Sequence, residues 1–174
     1  MRVHVALVCA LEIPGEGKLS MRELRMIGSD IGLRDVASYI QSGNLVFRDE
    51  SDSAEVAAML DIALGIRMGR APGVMVRSPA ELRAVIADNP FAGMDQSRVS
   101  VSFFSRRLPA DALNGIMAPG GEEAIAAERE IYVHYPLGSD RHRFSLPILE
   151  RGTPRSIETI IRLADLGRKL EAKS

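Results

Sequence analysis

Apolar residues fill successive positions near the start of the chain. Val3, Val5 and Leu7 interleave with His4, Ala6 and Val8, which predicts a strand apolar on both faces. After the loop "EIPGEGKL", the run "SMRE" has the spacing of a capping box. Ser20 can accept from the amide of Glu23, and Glu23 can reach back to Ser20. Leu24, Ile27 and Ile31 follow at helical spacing, and Gly32 is placed to end the helix. The next stretch, "SYIQSGNLVF", reads as a hairpin. A two-residue Ser42–Gly43 turn would pair Gln41 with Asn44, Ile40 with Leu45 and Tyr39 with Val46. That register sends Ile40, Leu45 and Phe47 to one face, and Tyr39, Gln41, Asn44 and Val46 to the other.

A second helix is predicted from the Asp52–Glu55 capping pair and the stripe Val56, Met59, Leu60 and Ala63. The strand "GVMVRS" closes a strand–helix–strand–strand–helix–strand unit, the ferredoxin-like order. Ser78, Pro79 and Glu81 then open a helix that stops before Pro90. Beyond it come the strand "RVSVSFF", a short helix over "PADALNGIM", and a hairpin of "EEAIAAE" with "EIYVHYP" around Glu128–Arg129. A last helix is predicted from Thr153–Pro154 with Ile157, Ile160, Ile161 and Ala164 on one stripe. The expected fold is α+β, two tandem ferredoxin-like (α/β-plait) units with antiparallel sheets, over residues 1–78 and 79–174. In such a unit both helices lie on one face, so the doubly apolar first strand predicts that the second half or another subunit covers the other.

Composition narrows the function classes. At 174 residues, 46% hydrophobic and 26% charged, the chain can bury a core, and its net charge of −1 argues against attachment to nucleic acid by bulk charge alone. No apolar run approaches the roughly 20 residues of a membrane span. The N-terminal apolar run lacks a signal-peptide cleavage site. Cys9, the single cysteine, is read as a buried thiol in a reducing compartment, and the expected location is cytoplasmic.

The segments "KLSMRELR", "IGLRDVASYIQSGNLVF", "VMVRSPAELRAVIADNPF" and "EIYVHYPLG", in this order, resemble the bacterial family called domain of unknown function 1697. The resemblance covers most of the chain, with the Tyr-Ile-Gln-Ser-Gly-Asn stretch its most specific part. It implies two tandem α/β-plait domains and no assigned activity. This chain departs from the family's Leu-Arg-Gly-Ile-Asn-Val-Gly-Gly after the first strand, where it has Cys9, Ala10, Leu11 and Glu12. It carries "RSIET" for Arg-Asn-Trp-x-Thr, keeping Arg155 and Thr159, and "DRHRFSL" for Gly-Arg-Ser-Lys-Leu.

Three places can carry chemistry. The loop "PGEGKLS" precedes a helix N-terminus, where backbone amides and Lys18 can hold an anion, although Glu12 and Glu16 oppose one. It lacks the Walker spacing, and a plain strand-to-helix connection is the simpler reading. Gln41 and Asn44 offer amide donors and acceptors beside Ser42; turn propensity alone also explains them. From Arg141 to Ser174 there are eight basic residues against four acidic ones. Among them Arg141, Arg143 and Arg155 can grip a phosphate or carboxylate, and His142 beside them can titrate near neutrality. A solvated helix face is the bland alternative.

Catalytic signals are weak. His4, His134 and His142 have no metal-ligand spacing among themselves or with Cys9, and no nucleophile elbow occurs. No cofactor, metal or catalytic residue is predicted. The expected function is a binding module for an anionic ligand (a nucleotide, a nucleic-acid segment or a metabolite) held by Gln41, Ser42, Asn44, Arg143 and Arg155 in a groove between the halves. The alternatives are an enzyme acting on a phosphorylated or carboxylated small molecule, and an interaction module using the apolar sheet face. RNA binding on the sheet is disfavoured by an aromatic content of only 5%. Oligomeric state is left open.

Overall fold

The structure, a computed structural model, describes residues 1–138 and 143–173. The chain divides into two compact units, one of Met1–Arg83 with Arg162–Ser174 and the other of Ala84–Ile161. The dividing points therefore fall inside two helices. The expected single boundary at residue 78 does not anticipate the return of the last segment to the first unit.

In the first unit β1 (Arg2–Val8) is followed by a small hairpin, β2 (Glu12–Ile13) with β3 (Gly17–Lys18). Then come α1 (Met21–Asp30), β4 (Arg34–Tyr39), β5 (Asn44–Asp49), α2 (Ser53–Met68) and β6 (Val74–Arg77). The sheet order is β4-β5-β1-β6, with every pairing antiparallel. This is the ferredoxin-like arrangement. Ala6 and Val8 join Leu45, Phe47, Val74 and Val76 in one core with Leu24 of α1 and Val56, Leu60 and Leu64 of α2. Val3, Val5 and Leu7 point the other way and are equally buried. The C-terminal turns of the last helix cover that side. Gly167 sits so close to Pro79 that an added Cβ would lie 2.6 Å from its Cγ and 3.8 Å from Val5.

Capping follows the sequence with one exchange. Ser20 accepts from the Glu23 amide (3.1 Å), Asp52 from the Glu55 amide (2.9 Å), and Ser78 and Glu81 make the full reciprocal box. The Glu23 carboxylate, however, is held by Arg67 instead of reaching back to Ser20. A guanidinium outcompetes a backbone amide for a carboxylate because the bond is charge-assisted on both sides.

After α3 (Pro79–Ala87), which spans the first dividing point, the second unit contains β7 (Val99–Phe103), β8 (Glu123–Ala126), β9 (Glu130–His134) and β10 (Thr153–Ser156). Its order, β10-β7-β9-β8, is the same one in chain terms. Two expectations change here. "PADALNGIM" forms successive single turns and no helix, since Asn114–Gly115 propagates a helix poorly and Met117 bridges to Ser145. The final helix, α4 (Ile157–Ala172), begins later than Thr153. Thr153–Ser156 pair with β7 as an edge strand, where Pro154 is tolerated, and Ser156 caps the helix by accepting from the Thr159 amide. No helix among the described residues is long and apolar enough to cross a membrane.

His4 gives the fold a pH dependence. Its ring is buried against Phe47, with Nε2 hydrogen-bonded to the Ser51 carbonyl at 3.0 Å. Desolvation holds its pKa below the ordinary 6.5, outweighing the nearby Asp49. The unfolded chain therefore takes up a proton near pH 6.5 that the folded chain still refuses. Stability is full above that pH and falls below it, by at most about 1.4 kcal/mol per pH unit. Urea denaturation at several pH values is expected to show this fall in the parent and a flatter dependence in His4→Phe; identical slopes would reject the assignment.

Candidate functional site

The hairpin between β4 and β5 is built differently from its sequence reading. Tyr39 pairs with Asn44 and Ser38 with Leu45, so the loop has four residues, 40–43, and the register moves by two. Ile40 consequently leaves the core face; it is half-exposed, with a left-handed φ of 49°. Gly43 is also left-handed (φ 79°), and a Cβ there would crowd Val8 at 3.2 Å while the Gly43 carbonyl accepts from the Val8 amide. Asn44 is fully buried. Its Nδ2 donates to the Tyr39 carbonyl (3.0 Å) and to Ser42 Oγ (2.7 Å). Asn44 and Ser42 thus brace the loop from inside, while Gln41 projects at the surface.

Gln41 meets the other flagged segment there. With Lys18, Leu19, Ser20 and Met21 it lines a cavity of about 230 Å³ at the N-terminus of α1. Ser20 caps only the Glu23 amide, which leaves the Met21 and Arg22 amides outside the helix's own ladder. Of the two acids that oppose an anion in the sequence, Glu16 is engaged. Arg67 binds Glu16 (3.1 and 3.3 Å) as well as Glu23, and these carboxylates push its pKa further above the usual arginine value. Glu12 stands opposite Lys18 in the small hairpin, but Lys18 has no ion pair among the described residues. Arg67 was not legible as part of this region, because it is 44 and 51 residues from its partners.

A larger cleft of about 580 Å³ lies between β4–β5 and the end of α4. Ala37, Val46, Leu166 and Leu170 contribute its apolar lining, and Arg48, Arg168, Lys169 and Lys173 its basic one. Much of that charge is already compensated. Arg168 and Lys169 pair with Asp165, while Arg48 contacts Asp35 and the Leu170 carbonyl.

The remaining predicted residues belong to the second unit. Arg155 lies in β10, only 8% exposed, and its Nη1 donates to Thr153 Oγ1 (2.9 Å) and to the Pro154 carbonyl (2.8 Å). Arg143 is exposed; Arg141 and His142 lie outside the described residues. Cys9 is half-buried one residue beyond β1, not within it. Among the described residues no group of three or more His, Cys, Asp or Glu is placed to hold a metal.

Residues 1–132 match the family described as Protein of unknown function (DUF1697). No curated protein matches the chain. The same fold occurs in the conserved bacterial protein SP0830 from Streptococcus pneumoniae, 19% identical over 97% of this chain and 99% of that one, with a TM-score of 0.79.

The two amides of the hairpin are therefore expected to answer differently to truncation. Asn44→Ala removes a buried side chain that donates to two part-buried acceptors and is expected to cost about 1–3 kcal/mol in urea denaturation. Gln41→Ala, at the surface, is expected to stay within about 0.5 kcal/mol of the parent. Equal losses would show that Gln41 is also structural.

Proposed function

The chain belongs to that family, and we propose that it binds a small anionic ligand in the cavity between the α1 N-terminus and the β4–β5 hairpin. The observation that carries this reading is a convergence. The loop "PGEGKLS" and the tip residue Gln41, about twenty positions apart in the chain, wall one cavity. The chemistry suits an anion, since the cavity combines the partial positive charge of a helix N-terminus, a lysine without an ion pair, and a side-chain amide that can donate. Arg67 contributes by holding Glu16 and Glu23, which would otherwise repel the ligand. The cavity has room for a phosphate or a small carboxylate and not for a whole dinucleotide, given the 300–1,000 Å³ of drug-sized sites. All five lining residues fall within the family match. Ser42 and Asn44 take part indirectly, by fixing the loop that presents Gln41.

A second reading, favoured by its four basic side chains, places the anion in the cleft beside α4. Titration with inorganic phosphate, followed by backbone amide NMR shifts, separates the two. In the first reading the Met21, Arg22 and Gln41 amides shift, and Lys18→Ala weakens binding tenfold or more, the loss of one charge-assisted hydrogen bond. Shifts along 166–173, abolished by the double variant Lys169→Glu/Lys173→Glu but not by Lys18→Ala, would move the site to the cleft. Absence of any shift at millimolar phosphate would reject both.

A further inference from the structure

Helix α4 covers β1 on the second side of the sheet but leaves the edge pair β4–β5 open, and the cleft of about 580 Å³ lies there. Leu166, Lys169 and Leu170 line it from one face of α4, and Lys173 lines it just past the helix end. Ala37, Val46 and Arg48 line it from the sheet. The apolar part of this lining is recessed. Val46 is 2% exposed, Leu166 and Leu170 are half-buried, and the exposed Ala37 and Ala172 end at Cβ. The charged groups of α4 stand outside that floor, for Arg168, Lys169 and Lys173 are all exposed.

Four bases line the cleft, and two acids meet them. Asp165 is shared by Arg168 and Lys169 (2.8 and 3.0 Å), and Asp35 stands 3.6 Å from Arg48. Asp35 reaches Arg48 from a break in β4, where the register shifts and its own φ is 53°. Glu171, the other acid at this end of α4, pairs with Arg83 and is not part of the lining. Lys173 has no ion pair among the described residues, so the rim keeps positive charge.

We propose that this cleft binds a small amphipathic monocarboxylate, its hydrocarbon body on the floor and its carboxylate at Lys173 and Lys169. One molecule has to answer both linings. Inorganic phosphate would leave the floor unused, and a neutral hydrocarbon would leave Lys173 unpaired. The recession of the floor sets the size of the occupant. A flat protein face or a membrane surface would meet the charged rim first, since both need apolar side chains that protrude. The volume is that of a small-molecule site, in which an apolar lining holds the body and a few charged groups fix its orientation. Asp35 on the strand side repels a second negative group, which selects a single charge. The apolar sheet face offered by the sequence as an interaction surface is reduced to this cleft. No residue is shared with the cavity at α1, so the inference stands apart from the reading above.

Titration of the full chain with octanoate, followed by backbone amide NMR shifts, tests it against acetate and 1-octanol. Octanoate is expected to shift the amides of Ala37, Val46 and residues 166–173. It is expected to bind about a hundredfold more tightly than acetate, at roughly fourfold per buried methylene. The alcohol is expected to reach the same amides about tenfold more weakly. Lys173→Glu is expected to weaken octanoate about tenfold and to leave 1-octanol unchanged, a split that a structural defect would not produce. Ala37→Phe, which fills the floor from an exposed position, is expected to weaken both. Acetate equal to octanoate would show a plain anion site, and 1-octanol equal to octanoate a plain apolar one; either overturns the proposal. So would the absence of shifts in the cleft at millimolar octanoate. Phosphatidylglycerol vesicles that perturb residues 166–173 where octanoate does not would replace the small molecule with a lipid surface.

Discussion

A strand with no polar face must be covered twice, and β1 is such a strand. It lies inside the sheet between β5 and β6, so its backbone groups are spent on neighbours, and Val3 to Val8 are all buried. Burying a valine or leucine side chain contributes roughly 1.5–3 kcal/mol, and β1 presents such groups on both sides. Helices α1 and α2 supply one cover. The other comes from far along the chain, in residues 162–173, which is why the first unit is discontinuous. Gly167 permits it. Any side chain there would meet the Pro79 ring and hold α4 away from Val5.

The same constraint organises the chemistry. With both faces of β1 covered, polar groups able to meet a ligand are left at the sheet's ends and in the cleft where α4 leaves β4–β5 open. The cavity beside Gln41 and Lys18 opens at the end where β1 leaves the sheet and the β4–β5 hairpin turns back, with Gly43 bonded to the Val8 amide. A hairpin tip is normally among the more mobile parts of a domain. Here a buried asparagine pins it from inside, so an amide exposed on the tip is presented from a fixed support.

Much of this could be read from the chain and some could not. The capping residues Ser20, Asp52 and Ser78 located three helices because a cap is a local arrangement of neighbouring groups. The strand order of the first unit followed from the alternation of elements, and the need to cover the second face of β1 followed from its double apolarity. The failures share a cause. The hairpin register depends on whether Ser42–Gly43 is the whole turn or half of it, and only the burial of Asn44 decides that. Thr153–Ser156 resembles a helix start until β7 lies alongside it. Arg67 belongs to the candidate site through partners more than forty residues away. Hydrophobic spacing reports which face is buried, but not by what.

The return of α4 to the first unit also bears on how the protein is made. A ribosome releases β1 long before residues 162–173, and the face they cover must wait for them. During that interval the nascent first unit carries an apolar sheet surface, the kind of surface that recruits chaperones or nucleates aggregation. A late element of this sequence thus completes an early one. Maturation of the N-terminal half is timed by the C-terminal residues, and a stalled or shortened chain fails in the half whose own sequence is complete.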